Sequence, residues 1–169
     1  MNNLILSNSI RFIVLVLLQV LIFNHIDLFG YLNPFIYIVW VFLFPIKKNK
    51  NLILFTSFLL GLSIDFFSDS GGINAAAMVF IAFIRLPILK AILRKSDFDY
   101  LLFNLRTISF DKIFLYIATL TVIHHFIVFS LEYFSLSDFT TIISNTFFTS
   151  IFTILISILG IQLFVKKTK

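Results

Sequence analysis

Residues 51–84 read NLILFTSFLLGLSIDFFSDSGGINAAAMVFIAFI. Two apolar runs, Asn51–Ile64 and Ser70–Ile84, flank the turn signal Asp69-Ser70-Gly71-Gly72, and the whole stretch contains no Lys or Arg. Each run is nearly long enough to cross a hydrocarbon core of about 30 Å. The stretch therefore reads as a helical hairpin in a membrane, with helices over 52–68 and 73–93. Ser57 and Gly61 are four apart, as are Gly72 and Ala76. Small residues at that interval let helix backbones approach closely in lipid, so the hairpin is expected to be tight and to touch a third helix. Asp65 and Asp69 share one helix face at i,i+4. Two readings stand for them. They form a cation or proton site. Alternatively, Asp69 is solvated and Asp65 takes backbone N–H groups at the start of the next helix, where donors are unsatisfied and the dipole is positive.

Four further neutral runs surround this hairpin: Phe12–Ile26, Leu28–Ile46, Ile113–Leu131 and Phe139–Val165. That makes six candidate spans in 169 residues, one polytopic domain over 1–169. The composition agrees, with 60% hydrophobic and 12% charged residues and a mean hydropathy of +1.06. Soluble domains carry about a quarter charged residues. Half that charge cannot coat a water-soluble surface, which excludes a cytoplasmic globular enzyme and a nucleic-acid binder. Twenty-four Phe exclude a low-complexity disordered tail, and the absence of Cys excludes disulfides, thiol nucleophiles and cysteine metal sites.

The basic residues fix the expected orientation. Lys47, Lys48 and Lys50 follow the second run. Arg85, Lys90, Arg94, Lys95, Arg106 and Lys112 lie at the end of the fourth and beyond it. Lys166, Lys167 and Lys169 follow the sixth, and Arg11 opens the first. The intervening connections carry only acids: Asp27, Asp69, and the pair Glu132 and Asp138. Basic residues on alternate connections predict six spans with both termini in the cytoplasm. A four-span arrangement would put Lys47, Lys48 and Lys50 in the bilayer, at several kcal/mol each. The N-terminal run lacks a basic leader and a small-x-small cleavage site, so it reads as a retained helix over 10–29 rather than a signal peptide.

Local signals refine this picture. Asn33-Pro34 reads as N-cap and first residue of a short second helix ending near Pro45. Pro87 is expected to kink or weaken the end of the fourth helix, and Arg85 to snorkel toward cytoplasmic headgroups. Phe98, Leu101, Leu102, Leu105 and Ile108 recur at helical spacing and predict an amphipathic helix over 97–110 in the cytoplasmic interface, against anionic lipid.

Candidate chemistry is sparse. His124 and His125 point about 100° apart on a helix, so they do not share a metal easily. They read as inter-helix hydrogen-bonding groups, with a proton relay as the alternative. A polar network of His124, His125 and Glu132 is a candidate, as are Gly61, Asp65, Gly72, Ala75 and Ala76 for helix packing and partner contact. The chain lacks H-E-x-x-H, G-x-S-x-G, P-loop and G-x-G-x-x-G motifs. No catalytic residue, metal or cofactor is expected.

Two motifs carry a resemblance. The first is the turn Gly30-Tyr31-Leu32-Asn33-Pro34 after span one. The second is the Gly-x-x-x-Asp…Gly-x-x-Ala segment formed by Gly61, Asp65, Gly72 and Ala75. With six short spans and both ends inside, the chain resembles the rod shape-determining protein MreD family. The resemblance implies a non-enzymatic, multi-pass protein of the bacterial inner membrane in the cell-wall elongation complex. Its implied direct partner is an MreC-like single-pass membrane protein, with MreB, a cell-wall glycosyltransferase and a penicillin-binding protein reached indirectly. The family is also similar in fold to the substrate-binding membrane subunits of energy-coupling-factor transporters, which implies a small-molecule-binding role as the alternative.

Overall fold

A computed structural model describes residues 2–27, 32–46, 50–94, 108–134 and 138–164. Among them every regular element is helical. Five long helices, α1 (Asn2–Leu21), α3 (Asn51–Ser68), α4 (Ile73–Leu93), α5 (Phe110–Tyr133) and α6 (Phe139–Phe164), enclose a much shorter one. That one is a 3-10 turn, Ile36–Ile38, running directly into α2, Val39–Leu43. Among the described residues, five helices are long and apolar enough to cross a membrane. The fold is that of a multi-pass helical membrane protein.

The long helices bury one face each and leave the rest apolar and uncovered. Phe55, Phe66, Phe83, Phe147, Leu155 and Leu159 all lie outside. Water would not tolerate that belt, and lipid does. Successive long helices pack side by side, α3 on α4, α4 on α5 and α5 on α6, while α1 packs on α3 and on the short central segment. Within the membrane, van der Waals packing and interhelical hydrogen bonds hold helices together, because lipid tails are as apolar as Leu.

The second expected span is realised differently from the other five. Residues 36–42 are buried all round, Tyr37, Ile38, Val39 and Val41 completely. A helix that is apolar on every side belongs inside the protein, and this one is the hub on which α1, α3, α4 and α6 converge. Its eight residues rise only about 12 Å. Its exposed backbone ends need partners, since nothing in hydrocarbon would satisfy them. Side chains of three long helices supply them. At the start, Gln19 of α1 takes the Ile36 N–H at 2.8 Å, and Thr153 Oγ1 of α6 takes the Phe35 N–H at 3.1 Å. At the finish, the Arg85 guanidinium of α4 donates to the carbonyls of Val41 (2.7 Å), Phe44 (2.9 Å) and Pro45 (2.9 Å).

Several expectations shift accordingly. α1 starts at Asn2 rather than near residue 10. Asn33 is not a helix cap: it exchanges two hydrogen bonds with Asp27, both 2.9 Å, and closes the loop between α1 and the central segment. Arg85 does not snorkel outward. It is 4% exposed and turned inward to the end of α2. α4 continues through Pro87 to Leu93. The boundaries of α3 and α4 fall within a residue of those read from sequence. Of the interfacial helix expected over 97–110, residues 97–107 lie outside those described, and Phe110 opens α5. Gly30, Tyr31, Lys47, Lys48, Lys95, Arg106, Lys166, Lys167 and Lys169 lie outside them too.

Candidate functional site

The α3–α4 turn forms around one carboxylate. α3 ends with Asp69 in the left-handed conformation (φ 52°), and the Asp69 and Ser70 N–H groups both return to the Asp65 carbonyl. Gly71 and Gly72 follow at φ 63° and 97°, a backbone that suits glycine. Gly72 is the N-cap of α4 and has no side chain to cap it. Asp65 caps it from the neighbouring helix. Its Oδ1 accepts the Asn74 N–H at 2.9 Å and its Oδ2 the Ala75 N–H at 2.8 Å. Oδ1 also accepts from Asn74 Nδ2 (2.9 Å) and Ser70 Oγ (2.6 Å). Asp65 thus supplies the acceptors that the first N–H groups of α4 lack within their own helix.

One helical turn deeper, Gly61 lets α3 and α4 touch. A Cβ on Gly61 would fall 2.5 Å from Ala75 Cα and 2.7 Å from Asn74 O, both backbone atoms. Gly61 thus sets the separation at which Asp65 can reach α4. Ser57 lies one turn further along the same buried face.

A chain of hydrogen bonds leads inward from this clasp. Asn74 gives both amide hydrogens to Asp65 and Ser70, so its Oδ1 is an acceptor and takes the Tyr37 hydroxyl hydrogen. The Tyr37 oxygen then accepts from His124 Nε2 at 3.1 Å, which leaves His124 Nδ1 as an acceptor with no hydrogen-bond partner among the described residues. His125 belongs to a second branch. Its Nδ1 donates to the Thr121 carbonyl at 2.8 Å, so its Nε2 accepts the Thr153 hydroxyl hydrogen at 3.0 Å. Thr153 is the residue that takes the Phe35 N–H. Gln19 ties α1 into the same interior through Pro34 O and Asn24 Oδ1, and Asn24 reaches Ser68 at the end of α3.

The residues singled out in the sequence fall into three groups. Gly61, Asp65 and Ala75 form the clasp, and Asp65 follows the backbone-capping reading rather than the cation-site reading. His124 and His125 hydrogen-bond to other elements, as inter-helix groups should. Three positions differ. Ala76 is exposed, because Ala75, three residues after Gly72, is the one that meets α3. Gly72 acts through its backbone angle, and a Cβ there would meet nothing within 4 Å. Glu132 is not hydrogen-bonded to the His pair. It sits about two turns beyond His125, at the end of α5.

Glu132 instead lines an open cavity of about 740 Å³ at the turn end of the bundle, together with Asn24, Asn33, Phe35, Asp69 and Asn74. No Lys or Arg lines it among the described residues. Asp65 and His124 are buried and do not line it. Among the described residues, no group of three His, Asp or Glu could hold a metal ion.

Sequence reasoning missed Gln19, Tyr37, Asn74 and Thr153. A usable signal existed for Gln19, the one strongly polar residue inside its span, and for Asn74, placed directly after Gly-Gly. Tyr37 and Thr153 gave none. Comparison of the chain with protein-family models, curated proteins and solved structures gives no match.

Proposed function

We propose that this chain is a non-enzymatic scaffold in the bacterial cell-wall elongation complex, of the rod shape-determining MreD type. In this reading it sits in the cytoplasmic membrane, crosses six times with both termini inside, and holds the transmembrane helix of an MreC-like partner. Through that partner it couples MreB filaments to the glycosyltransferase and penicillin-binding protein of wall synthesis. The observation that carries the reading is the clasp. Of the two motifs behind the resemblance, Gly61, Asp65, Gly72 and Ala75 come together at one helix contact and one turn, while Gly30 and Tyr31 of the other lie outside the described residues.

Six crossings are supported by the ends of the central segment. Gln19 holds its start beside Asn24 and Ser68, at the turn end of the bundle. Arg85, twelve residues into α4, holds its finish, so the chain from Pro34 to Pro45 runs from the turn end of the bundle toward the opposite end. The test is recovery of a single-pass MreC-like protein with the tagged chain in mild detergent, together with loss of rod shape on depletion. Recovery of no such partner, from cells that stay rod-shaped after depletion, would sink the reading. Cysteines placed at Lys48 and Leu136 should label from opposite sides of intact cells.

The electronegative cavity favours a second reading, a small-molecule-binding subunit similar to those of energy-coupling-factor transporters. Substrate uptake that collapses on Glu132→Gln, in a gene neighbourhood with a transport ATPase, would decide for it.

A further inference from the structure

We propose that the recess between α3 and α4 at the end opposite the Gly71–Gly72 turn binds the phosphate of an anionic phospholipid, with Arg85 and Lys50 as its cationic contacts. Arg85 is buried, yet its three acceptors are neutral carbonyls and no carboxylate bonds it among the described residues. A buried cation matched only by carbonyl dipoles and the face of the Phe44 ring, 5.8 Å away, keeps a demand for a counter-charge. Arg85 lines a recess that it shares with Lys50, Phe44, Ile53 and Leu86. Lys50 is also the N-cap of α3 and provides no side-chain cap, so the positive end of that helix lies beside it.

The size of the recess selects the form of the anion. Its volume is about 10 Å³, room for one water-sized group. A whole phosphate does not enter. One phosphate oxygen does, with the rest of the headgroup outside beside Lys50. Something other than the recess must then hold the ligand in place. The neighbouring surface provides it, since Leu52 and Phe83 are both 55% exposed and form an apolar wall for acyl chains. The depth also fits a headgroup. Lys50 Nζ lies 5.2 Å over the Phe83 ring, level with the start of α3, and α3 spans about 27 Å from there to the turn.

The inference rests on the membrane placement proposed above and not on a role in wall synthesis. Were the placement inverted, the lipid would belong to the other leaflet and would still be retained, while the Lys48 and Leu136 labels would exchange sides. The experiment is native mass spectrometry of the full chain in mild detergent, titrated with phosphatidylglycerol, phosphatidylethanolamine or inorganic phosphate. Phosphatidylglycerol should bind tighter than phosphatidylethanolamine. Lys50→Gln should weaken phosphatidylglycerol by about fivefold, the worth of one interfacial cation. Arg11→Gln, which removes a charge from α1, should leave it unchanged, and inorganic phosphate should not displace it. Equal affinity for the two lipids, no effect of Lys50→Gln, or an equal effect of Arg11→Gln would overturn the proposal. Displacement by inorganic phosphate would overturn it too, and assign the recess to a free anion.

Discussion

Replacing Gly61 by alanine adds one methyl group at the tightest point of the α3–α4 contact. The new Cβ would sit 2.5 Å from Ala75 Cα, 2.6 Å from Ala75 N and 2.7 Å from Asn74 O. Ordinary contact starts at 3.4 Å, so the helices must part by about 3.4 − 2.5 = 0.9 Å. All three obstacles are backbone, and no side-chain rotation relieves them. Overpacking of this kind costs about 1–3 kcal/mol. The same displacement stretches the Asp65 bonds to Asn74 N and Ala75 N, now 2.9 and 2.8 Å, beyond useful length. Charged hydrogen bonds are worth about 1.5–3 kcal/mol each, and partial loss brings the expected total to about 2–5 kcal/mol. The assay is the fraction of detergent-solubilised protein that survives heating, read by gel filtration. Leu59→Ala, on the outward part of the same helix, is the comparison and should change little. Ala76→Leu should also be tolerated, because Ala76 faces away from α3. If Gly61→Ala survived heating as well as Leu59→Ala, the close approach would not govern stability and the clasp argument would fail.

Three other comparisons probe the interior by the same assay. Asp65→Asn replaces an acceptor by an amide that must face N–H groups, and should lose about 2–4 kcal/mol, whereas exposed Asp69→Asn should lose almost none; equal losses would refute the capping role. Arg85→Met keeps the bulk but strips donors from three carbonyls, and should cost about 2–4 kcal/mol; Arg85→Lys should recover only part, because an ammonium lacks the planar fork. His125→Phe should destabilise more than His124→Phe, since His125 bonds on both ring nitrogens and steadies Thr153 beneath Phe35, while His124 bonds on one; the reverse order would show the two branches misassigned.

Hydropathy and charge placement were enough to read the long helices, because a run of apolar residues between turn signals leaves few other choices in a membrane. α3 and α4 were legible almost to the residue, since Ser68-Asp69-Ser70-Gly71-Gly72 marks the break chemically. The central segment was not. An apolar run reports that residues avoid water, but Val39 and Val41 avoid it by burial in protein and Phe55 by facing lipid, and composition does not separate the two. The prolines at 34 and 45 were the available hint that the helix between them is short. Asp65 was legible in part: an acid one turn before the break, with Asp69 on the same face, left a backbone cap and a cation site both open. The Tyr37–His124 and His125–Thr153 pairs join residues distant in the chain, and helical periodicity does not reveal which faces meet.

The encased central helix constrains how the chain is made. Eight residues cannot partition into a bilayer unaided, because their terminal amides and carbonyls would meet hydrocarbon without donors or acceptors. The groups that satisfy them come from Gln19, synthesised earlier, and from Arg85 and Thr153, synthesised later. Residues 32–46 must therefore wait, at the membrane surface or inside the insertion machinery, until most of the protein has emerged. Defects at Gln19, Arg85 or Thr153 would then surface during biogenesis, as chains left half-inserted and degraded.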